Sequence, residues 1–379
     1  MKKCIFIPDS FKGTMTSAEI CSIMAQAVRT HEPQAELCSV PVADGGEGTV
    51  DAFLQAAGGK KVVATVKGPL FEEVPAFYGV LPNKTAVIEM AAAAGLPLVG
   101  NKKDAEQTTT FGVGQLLRHA IESGCKTIIL GLGGSATNDG GCGAAAAMGA
   151  VFRRTDGSTF IPVGGTLQDI ASVDLSSLQK VLSDTKILTM CDIENPLCGP
   201  AGAAAVFAPQ KGASPAAVKR LDCGLLHLAK ILQQATGCDI SQLPGAGAAG
   251  GMGGGMAAFF HSPLQSGIET MLDTVHFDEM LKDTDLVFTG EGKLDSQSLC
   301  GKVLSGVARR AKAAGVPLIA VVGDIEGTAA DAYKAGISAV FSINRTAVPY
   351  AQAKLRSRAD LFLTMDNLMR FLKQFAPQF

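Results

Sequence analysis

The strongest constraint on the fold is a repeated arrangement in which a short apolar segment runs directly into a glycine-rich loop and then into a helix. The clearest case is the apolar run 126–130, followed by the loop 131–143 with the sequence GLGGSATNDGGCG and by the alanine-rich segment 144–147. Glycine permits positive φ and lets the backbone approach a ligand closely. The N-terminus of the next helix offers unpaired N–H groups to an anion. The arrangement predicts an α/β fold with anion-binding loops at its strand ends.

The two ends of the chain carry this arrangement several times. Five short apolar segments alternate with helical patterns, and they predict strands at 4–8, 36–42, 285–288, 317–322 and 339–343. Continuous apolar strands of this kind are typical of parallel sheets that are covered on both faces. Five strands alternating with five helices indicate a flavodoxin-like, doubly wound, three-layer domain. In such sheets, ligands bind at the carboxyl ends of the strands.

The middle of the chain has a different pattern. Short strands at 61–67, 73–81 and 85–89, separated by turn residues, predict an antiparallel meander. Further strands at 126–130 and 186–191 alternate with helical segments. This combination predicts a second α/β unit whose sheet is mixed.

The length of the chain, 379 residues, exceeds the usual size of a single hydrophobic core. We predict a discontinuous flavodoxin-like domain at 1–60 and 276–379, with the second α/β domain inserted at 61–275. Insertions at surface connections are tolerated, and clefts between domains are common ligand sites. The cleft between the two domains is therefore the expected site.

Composition and charge argue against several classes of protein. The net charge of -2 gives no reason to expect binding to nucleic acid or to an acidic membrane surface. The sequence shows neither a secretory signal nor an apolar stretch of membrane-spanning length. The ten cysteines have no C-x-x-C spacing, which argues against a zinc site or a redox pair. We expect a cytoplasmic protein with reduced thiols and small-molecule ligands, and a homo-oligomer is left open.

The glycine-rich loops contain acids and lysines, which together suit phosphoryl transfer. That reaction asks the protein mainly for positioning and for charge neutralisation. Carboxylates hold Mg²⁺ beside substrate phosphates, lysines hold the phosphates, and a further carboxylate accepts the proton of the attacking hydroxyl. The candidates are Asp9, Asp44, Glu47, Asp139, Asp192, Glu291, Asp295, Lys12, Lys211, Lys293 and Lys302. Any single carboxylate could instead be a turn former or a helix cap, as at Asp139 and Asp295.

Other known phosphate and nucleophile motifs fit less well. Gly301-Lys302 is followed by Val303 and makes no Walker A motif. The spacing Gly131-x-Gly133-x-x-Ala136 is a loose dinucleotide fingerprint, which leaves a nicotinamide oxidoreductase as an alternative. Ser135 lies in no G-x-S-x-G element, and none of the five histidines adjoins a glycine loop with an acid partner, which argues against a hydrolase.

Six ordered motifs resemble those of the bacterial type 1 glycerate kinase family. They are PDSFKG (8–13), VPVADGGEGT (40–49), GLGGSATNDGGCG (131–143), DIENPLCGPAGAA with FAPQKGA (192–213), PGAGAAGGMG (244–253), and TGEGKLDSQS with GKV and GVA (289–308). The resemblance implies a flavodoxin-like domain with an inserted α/β domain. It also implies an alcohol-acceptor phosphotransferase that uses ATP and Mg²⁺ to convert D-glycerate to 2-phosphoglycerate, with 3-phosphoglycerate as the alternative product.

With that resemblance, the loop residues receive hypothetical roles. Asp192 is the predicted general base, with Lys12 and Asp44 as its catalytic partners. Asp44 and Glu291 are the predicted Mg²⁺ ligands. The predicted cofactor-binding residues are Gly45, Gly46, Gly290, Glu291, Gly292, Asp295 and Lys302. The predicted substrate-binding residues are Ser135, Asn138, Asp139, Asn195 and Lys211. A non-catalytic sugar-acid-binding protein remains the other alternative.

Overall fold

The computed structural model describes residues 1–43, 45–295 and 303–375. Its strands, in chain order, are β1 (Lys3–Phe6), β2 (Glu36–Ser39), β3 (Lys60–Lys67), β4 (Glu73–Val80), β5 (Thr85–Glu89), β6 (Thr127–Gly131), β7 (Val151–Arg153), β8 (Thr159–Phe160), β9 (Ser172–Asp174), β10 (Lys186–Met190), β11 (Leu264–Gln265), β12 (Leu286–Thr289), β13 (Lys293–Leu294), β14 (Leu318–Val322), β15 (Asp324–Ile325) and β16 (Ala339–Ser342).

The α-helices, in chain order, are α1 (Ser17–His31), α2 (Thr49–Ala57), α3 (Ala91–Ala94), α4 (Leu96–Val99), α5 (Phe111–Glu122), α6 (Cys142–Ala147), α7 (Ser176–Leu182), α8 (Ala203–Phe207), α9 (Pro215–Thr236), α10 (Ala248–Phe260), α11 (Gly267–Thr274), α12 (Phe277–Met280), α13 (Val303–Ala314), α14 (Ala330–Ala335) and α15 (Tyr350–Phe375). Two short 3-10 helices lie at Gly164–Asp169 and Pro209–Lys211. No helix in the described ranges combines the length and the apolar character needed to cross a membrane.

Five parallel strands form one sheet in the order β2-β1-β12-β14-β16. Renumbered within this sheet by chain order, the strands read 2-1-3-4-5, which is the flavodoxin-like order of a doubly wound fold. These are the five strands predicted from the two ends of the chain, and the predicted fold class is confirmed.

Helices cover both faces of this sheet. Phe6 and Phe288 stack on neighbouring strands with ring centroids 5.8 Å apart, in an apolar cluster that also contains side chains of α1 and α15. Ile5 and Val287 point to the other face because side chains alternate along a strand, and α13 packs against β12 and β14 outside that cluster. The result is the predicted three-layer arrangement.

A second sheet has six strands in the order β11-β10-β6-β5-β4-β3. The β3, β4 and β5 strands pair antiparallel, as the meander predicted, whereas β5, β6, β10 and β11 pair parallel. The predicted mixed sheet is confirmed. The sequence did not predict the additional antiparallel sheet β8-β7-β9.

Within the described residues, close Cα pairs group the chain into two compact units. The first contains 1–43, 55–57 and 268–375, and the second contains 45–54 and 58–267. The early part of α2 belongs to the second unit because the Glu89 carboxylate accepts a 2.7 Å hydrogen bond from Val50 N. The Val50 side chain also lies beside Gly79 of β4. The predicted domain ranges, 1–60 with 276–379 and 61–275, stay a prediction.

Several helices were not predicted, among them α10, and α15 extends beyond its predicted bounds. The glycine-rich run that ends at Gly255 was assigned no helix, yet α10 crosses it. This helix includes a left-handed kink at Ala249, Gly250 and Gly251, which the glycines make possible. The last helix was predicted from residue 357, whereas α15 begins at Tyr350. Weak apolar periodicity over its first two turns concealed that start.

Candidate functional site

The second unit contains a cavity of about 450 Å³ at the carboxyl ends of β6 and β10. The two strands run parallel and pair side by side, with Gly131 opposite Met190. The loops that follow them therefore leave the sheet at the same edge. The cavity volume lies within the range of small-molecule sites. The lining residues are Gly46, Leu96, Leu132, Gly133, Gly134, Ser135, Met190, Cys191, Asp192, Ile193, Phe207, Gln210, Lys211, Ala248 and Ala249.

Glycines at the cavity wall are required by close backbone packing. Gly133 N donates a 2.9 Å hydrogen bond to Gly45 O. A Cβ atom at Gly133 would lie only 2.4 Å from the Cα of Gly46, and one at Gly131 would lie 2.3 Å from Gly45 O. Gly45 itself has φ of 82°, a left-handed conformation that favours glycine. The glycines of the loose dinucleotide fingerprint are thus explained by contact with the 45–46 loop.

Lys211 is a buried cation beside this loop. Its side chain is 2% exposed, and its Nζ donates to Ser135 Oγ at 2.8 Å and to Thr137 O at 2.7 Å. Burial lowers the pKa of Lys211 to about 7, and the charge of Asp139 opposes that effect. A lysine that titrates near neutral pH inside a cavity is typical of a functional site. The structure therefore brings Lys211 and Ser135 together, as expected for two predicted substrate-binding residues.

Asp139 is fully buried, and its carboxylate accepts hydrogen bonds from the loop backbone. Its Oδ2 accepts hydrogen bonds from Thr110 N (2.7 Å), Thr110 Oγ1 (2.9 Å) and Gly143 N (3.2 Å), and its Oδ1 accepts one from Gly141 N (3.2 Å). Burial raises the pKa of Asp139, and these hydrogen bonds oppose that effect. Both oxygens are engaged by the loop and by Thr110. The carboxylate therefore ties the start of α6 to the start of α5, and it does not line the cavity.

Thr137 and Asn138 differ from Asp139, because their polar side-chain atoms make no hydrogen bonds within the described part of the chain. Both residues are fully buried, but the Thr137 hydroxyl and both polar atoms of the Asn138 amide have no hydrogen-bond partner among the described residues. Such atoms cost free energy unless a water or a ligand group satisfies them. They lie on the same segment as Ser135, next to the backbone oxygen that Lys211 contacts. This polar capacity is the observation that most directly indicates a polar ligand.

Asp192 follows β10 and lines the cavity with an exposed side chain. Its Oδ1 accepts a 2.8 Å hydrogen bond from Gly267 N. Asn195 lies outside the cavity lining, and its amide donates to Ala201 O at 2.8 Å, so the described contacts give it a role in loop structure.

Sequence reasoning did not identify several lining residues. Gln210 and Phe207 belong to the FAPQKGA motif, so their position beside Lys211 in the chain was the available signal. Leu96 gave no comparable signal because its position depends on backbone pairing of its neighbour Gly95 with Ser135. Ala249 has φ of 54°, an uncommon conformation for a residue with a side chain. Backbone strain of this kind clusters at ligand sites.

The first unit has its own loop cluster at the carboxyl edge of its sheet. Gly290 O accepts from Asp9 N at 2.7 Å, and the Glu291 carbonyl accepts from Gly323 N at 2.9 Å. Gly290 has no room for a side chain, since a Cβ would lie 2.0 Å from Val321 O. Lys12 and Gly292 line a cavity of about 160 Å³ in this cluster. The structure thus brings together the predicted residues Lys12, Gly290, Glu291 and Gly292.

Two predicted residues, Asp44 and Lys302, lie outside the described residues. Asp295 lies at the end of the described segment after β13. Within 1–43, 45–295 and 303–375, no group of three or more His, Cys, Asp or Glu side chains could hold a metal. Mg²⁺ needs only one or two protein carboxylates when phosphates supply other ligands. The residues that the structure describes are compatible with that mode, and the predicted pair Asp44 and Glu291 stays a prediction.

Comparison with known proteins gives a consistent result. The model of the glycerate kinase family matches residues 4–373. A glycerate kinase of Bacillus cereus is 43% identical over 368 residues, which cover 97% of each chain. The glycerate 2-kinase of Escherichia coli K12 is 44% identical, with 90% of each chain covered. A crystal structure from Salmonella typhimurium LT2, provisionally named glycerate kinase 2, has a TM-score of 0.88 at 41% identity and covers 99% of both chains.

These matches extend over nearly the whole chain, and they include both the five-stranded parallel sheet and the six-stranded mixed sheet. Among the described residues, the motif at 131–143 and the segment 192–202 follow β6 and β10 and contribute to the cavity lining, the segment 290–292 follows β12, and the motif at 244–253 runs into α10. Sequence, fold and site thus agree, and the chain belongs to the glycerate kinase family.

Proposed function

We propose that the protein transfers the γ-phosphate of ATP to D-glycerate and forms 2-phosphoglycerate. The observation that carries the proposal is the cavity of the second unit, which is lined by both a buried lysine and an exposed carboxylate. A cation and a proton acceptor are what a hydroxy acid needs for binding and for activation. The names of the relatives from Bacillus cereus and Escherichia coli support the same substrate.

Lys211, Ser135 and Asn138 are the proposed contacts of the glycerate carboxylate. A protonated amine has three N–H donors, and two of those of Lys211 are used by Ser135 Oγ and Thr137 O. The remaining donor can serve a substrate oxygen, because Lys211 lines the cavity. The unpartnered amide of Asn138 supplies a further donor and an acceptor.

Asp192 is the proposed general base. As the 2-hydroxyl oxygen of glycerate bonds to the γ-phosphorus of ATP, the hydroxyl proton passes to the Asp192 carboxylate, and the bond to the β-phosphate oxygen breaks to release ADP. Asp192 lines the cavity, and the hydrogen bond from Gly267 N holds its Oδ1. Orientation of this kind is the usual requirement for proton transfer by a side chain.

The nucleotide contacts stay with the residues predicted from the loops. We propose that Lys12, Gly45, Gly46 and the loop 290–292 bind ATP, together with Asp295 and Lys302. Mg²⁺ would neutralise charge on the ATP phosphates, with Asp44 and Glu291 as its proposed protein ligands. Changing Lys12 to Ala should raise the KM for ATP about tenfold and leave the KM for D-glycerate unchanged; Lys102→Ala, at an exposed position, is the control.

The decisive experiment measures ADP release with and without D-glycerate, with L-glycerate and D-lactate as comparison acceptors. The proposal expects release that depends on D-glycerate and requires Mg²⁺. Phosphorus NMR of the product should show a phosphate ester on the 2-oxygen. A product esterified at the 3-oxygen would establish the alternative regiochemistry. Glycerate binding without ADP release would instead indicate a non-catalytic sugar-acid-binding protein, and ADP release that does not depend on glycerate would contradict the kinase proposal.

A further inference from the structure

Two oppositely charged side chains are buried around one short segment of the cavity wall. Lys211 is 2% exposed and contacts Ser135 Oγ and Thr137 O, while Asp139 has no exposed surface and lies two residues further along the same loop. Neither buried charge can be solvated by bulk water, so each depends on charge or dipoles supplied by the protein. Segment 135–139 therefore connects the cation to the anion.

Asp139 is the charged group that acts on Lys211 most directly. Its field opposes the effect of burial on the amine. The other titratable groups near the pair are the Cys142 thiol, buried beside Asp139, and Asp192 and Cys191, which line the same cavity as Lys211. Burial raises the pKa of both thiols, so they stay neutral near pH 7. Asp192 is exposed, which screens its influence.

We propose that Asp139 is a positioning residue for the reaction: its buried carboxylate favours the charged form of Lys211, which binds the substrate carboxylate, without itself touching the substrate. The proposal rests on the proposed function. It replaces the sequence-based expectation of a direct substrate contact, since the structure commits both Asp139 oxygens to Thr110, Gly141 and Gly143.

The proposal makes substrate binding depend on pH in a specific way. Burial lowers the pKa of Lys211 to about 7, and under the proposal glycerate binds to the charged form of this amine. Above that pH the KM for D-glycerate should rise, by about tenfold per pH unit at the limit, while kcat and the KM for ATP change little. Removing the Asp139 charge should move this rise to lower pH by about one unit, because an opposite charge nearby favours the charged amine.

Asp139→Asn removes the charge with little change in shape. Three of the four hydrogen bonds to Asp139 end on Oδ2, so an amide oxygen placed there keeps all three. Thr110→Val is the matched control: it removes the hydroxyl contacts to Asp139 Oδ2 and to Ala144 N and leaves every charge in place. We expect the Asn variant to shift the pH profile of the glycerate KM and the Val variant to leave its midpoint unchanged.

A double-mutant cycle separates positioning from a general loss of structure. The Lys211→Met variant lacks the amine whose charge Asp139 is proposed to favour. Adding Asp139→Asn to this variant should therefore change the KM for glycerate by less than about twofold. The double variant also contains no unbalanced buried charge, which keeps the test available if Asp139→Asn alone does not fold. A further large rise in KM in the double variant would overturn the proposal.

The pH profile of the unaltered protein supplies a third test. A glycerate KM that stays constant between pH 6 and 9 would refute the role of the buried pair, even with full kinase activity. Equal shifts in the Asn and Val variants would assign the effect to loop geometry and would also refute it. Failure of the proposed function is distinguishable, because it would appear as ADP release without dependence on D-glycerate in the unaltered protein.

Discussion

Lys211 Nζ lies 2.8 Å from Ser135 Oγ, although the two residues are 76 positions apart in the chain, and both side chains are buried. The contact joins the short 3-10 helix Pro209–Lys211 to the loop after β6. Lys211 gives the loop 131–143 a positive charge, which no residue of the loop itself provides. Two motifs that are far apart in the chain therefore contribute to the cavity of the second unit. The motif FAPQKGA provides the cation, and the loop 131–143 provides the oxygen atoms that accept its hydrogen bonds.

The assignment of Asp192 as general base makes a kinetic prediction. Asp192→Asn should fold normally and lower kcat by a hundredfold or more, which corresponds to about 2.7 kcal/mol in the activation free energy. Glu194→Gln is the matched control, since Glu194 is an exposed carboxylate two residues away and outside the cavity lining. Steady-state ADP release at saturating substrates measures both variants. A kcat within about threefold of the unaltered value in Asp192→Asn would remove Asp192 from the role.

The buried state of Lys211 makes a prediction about stability and pH. Burial lowers its pKa in the folded protein to about 7 from the ordinary lysine value of 10.5. Between these values the unfolded chain binds more protons than the folded one, so stability rises with pH through this window. Relative to Lys211→Met, the unaltered protein should gain up to about 1.4 kcal/mol of unfolding free energy per pH unit above pH 7.

Urea unfolding at pH 6, 7, 8 and 9 measures this difference. The gain should be absent below pH 7, where the lysine is protonated in both states. Lys102→Met is the control. Because Lys102 is exposed, the difference in unfolding free energy between this variant and the unaltered protein should not change with pH. If the difference in unfolding free energy between Lys211→Met and the unaltered protein stays constant from pH 7 to 9, the Lys211 amine does not titrate in this range.

Close backbone packing at the cavity wall predicts the effect of a single methyl group. Gly133→Ala should lower the unfolding free energy by about 1–3 kcal/mol, because its Cβ would lie 2.4 Å from the Gly46 backbone. Gly292→Ala should change stability by less than about 0.5 kcal/mol, since its nearest neighbours lie at an ordinary 3.4 Å or more. Thermal unfolding of the two variants compares them. Equal melting temperatures would contradict the packing argument.

Arg310 of α13 predicts a difference between two classes of ion pair. Its side chain is 13% exposed, and its guanidinium contacts Glu269 (2.7 Å), Asp273 (2.5 Å) and Asp278 (3.2 Å). Arg310→Met should cost about 2 kcal/mol, because it removes charged hydrogen bonds from a largely buried arginine to three carboxylates, of which only Glu269 keeps a second arginine, Arg309. Arg370→Met, in the exposed pair with Asp366, should cost less than about 1 kcal/mol. Urea unfolding measures both, and similar costs would show that the Arg310 network is no stronger than a surface pair.

The sequence by itself determined the features that depend on local pattern. The short apolar runs predicted the five strands of the parallel sheet and the antiparallel meander of the second unit. Strands buried on both faces are continuously apolar, and strands with one exposed face alternate between apolar and polar residues, so both kinds can be recognised in the sequence. The sequence also placed Asp192 and Ser135 in loops that directly follow predicted strands. The six motifs were sufficient to indicate the family.

Only the tertiary structure decided which loop residues face the cavity. Asp139 and Ser135 belong to the same motif, yet Asp139 holds Thr110 and the start of α6 while Ser135 lines the cavity with Lys211. Gly133 is a flexible residue in the sequence and a tightly packed one in the fold, because Gly46 lies against it. Such contacts join segments far apart in the chain. The burial and the hydrogen bonds that these contacts produce determine the pKa of Lys211. No local sequence pattern predicts them.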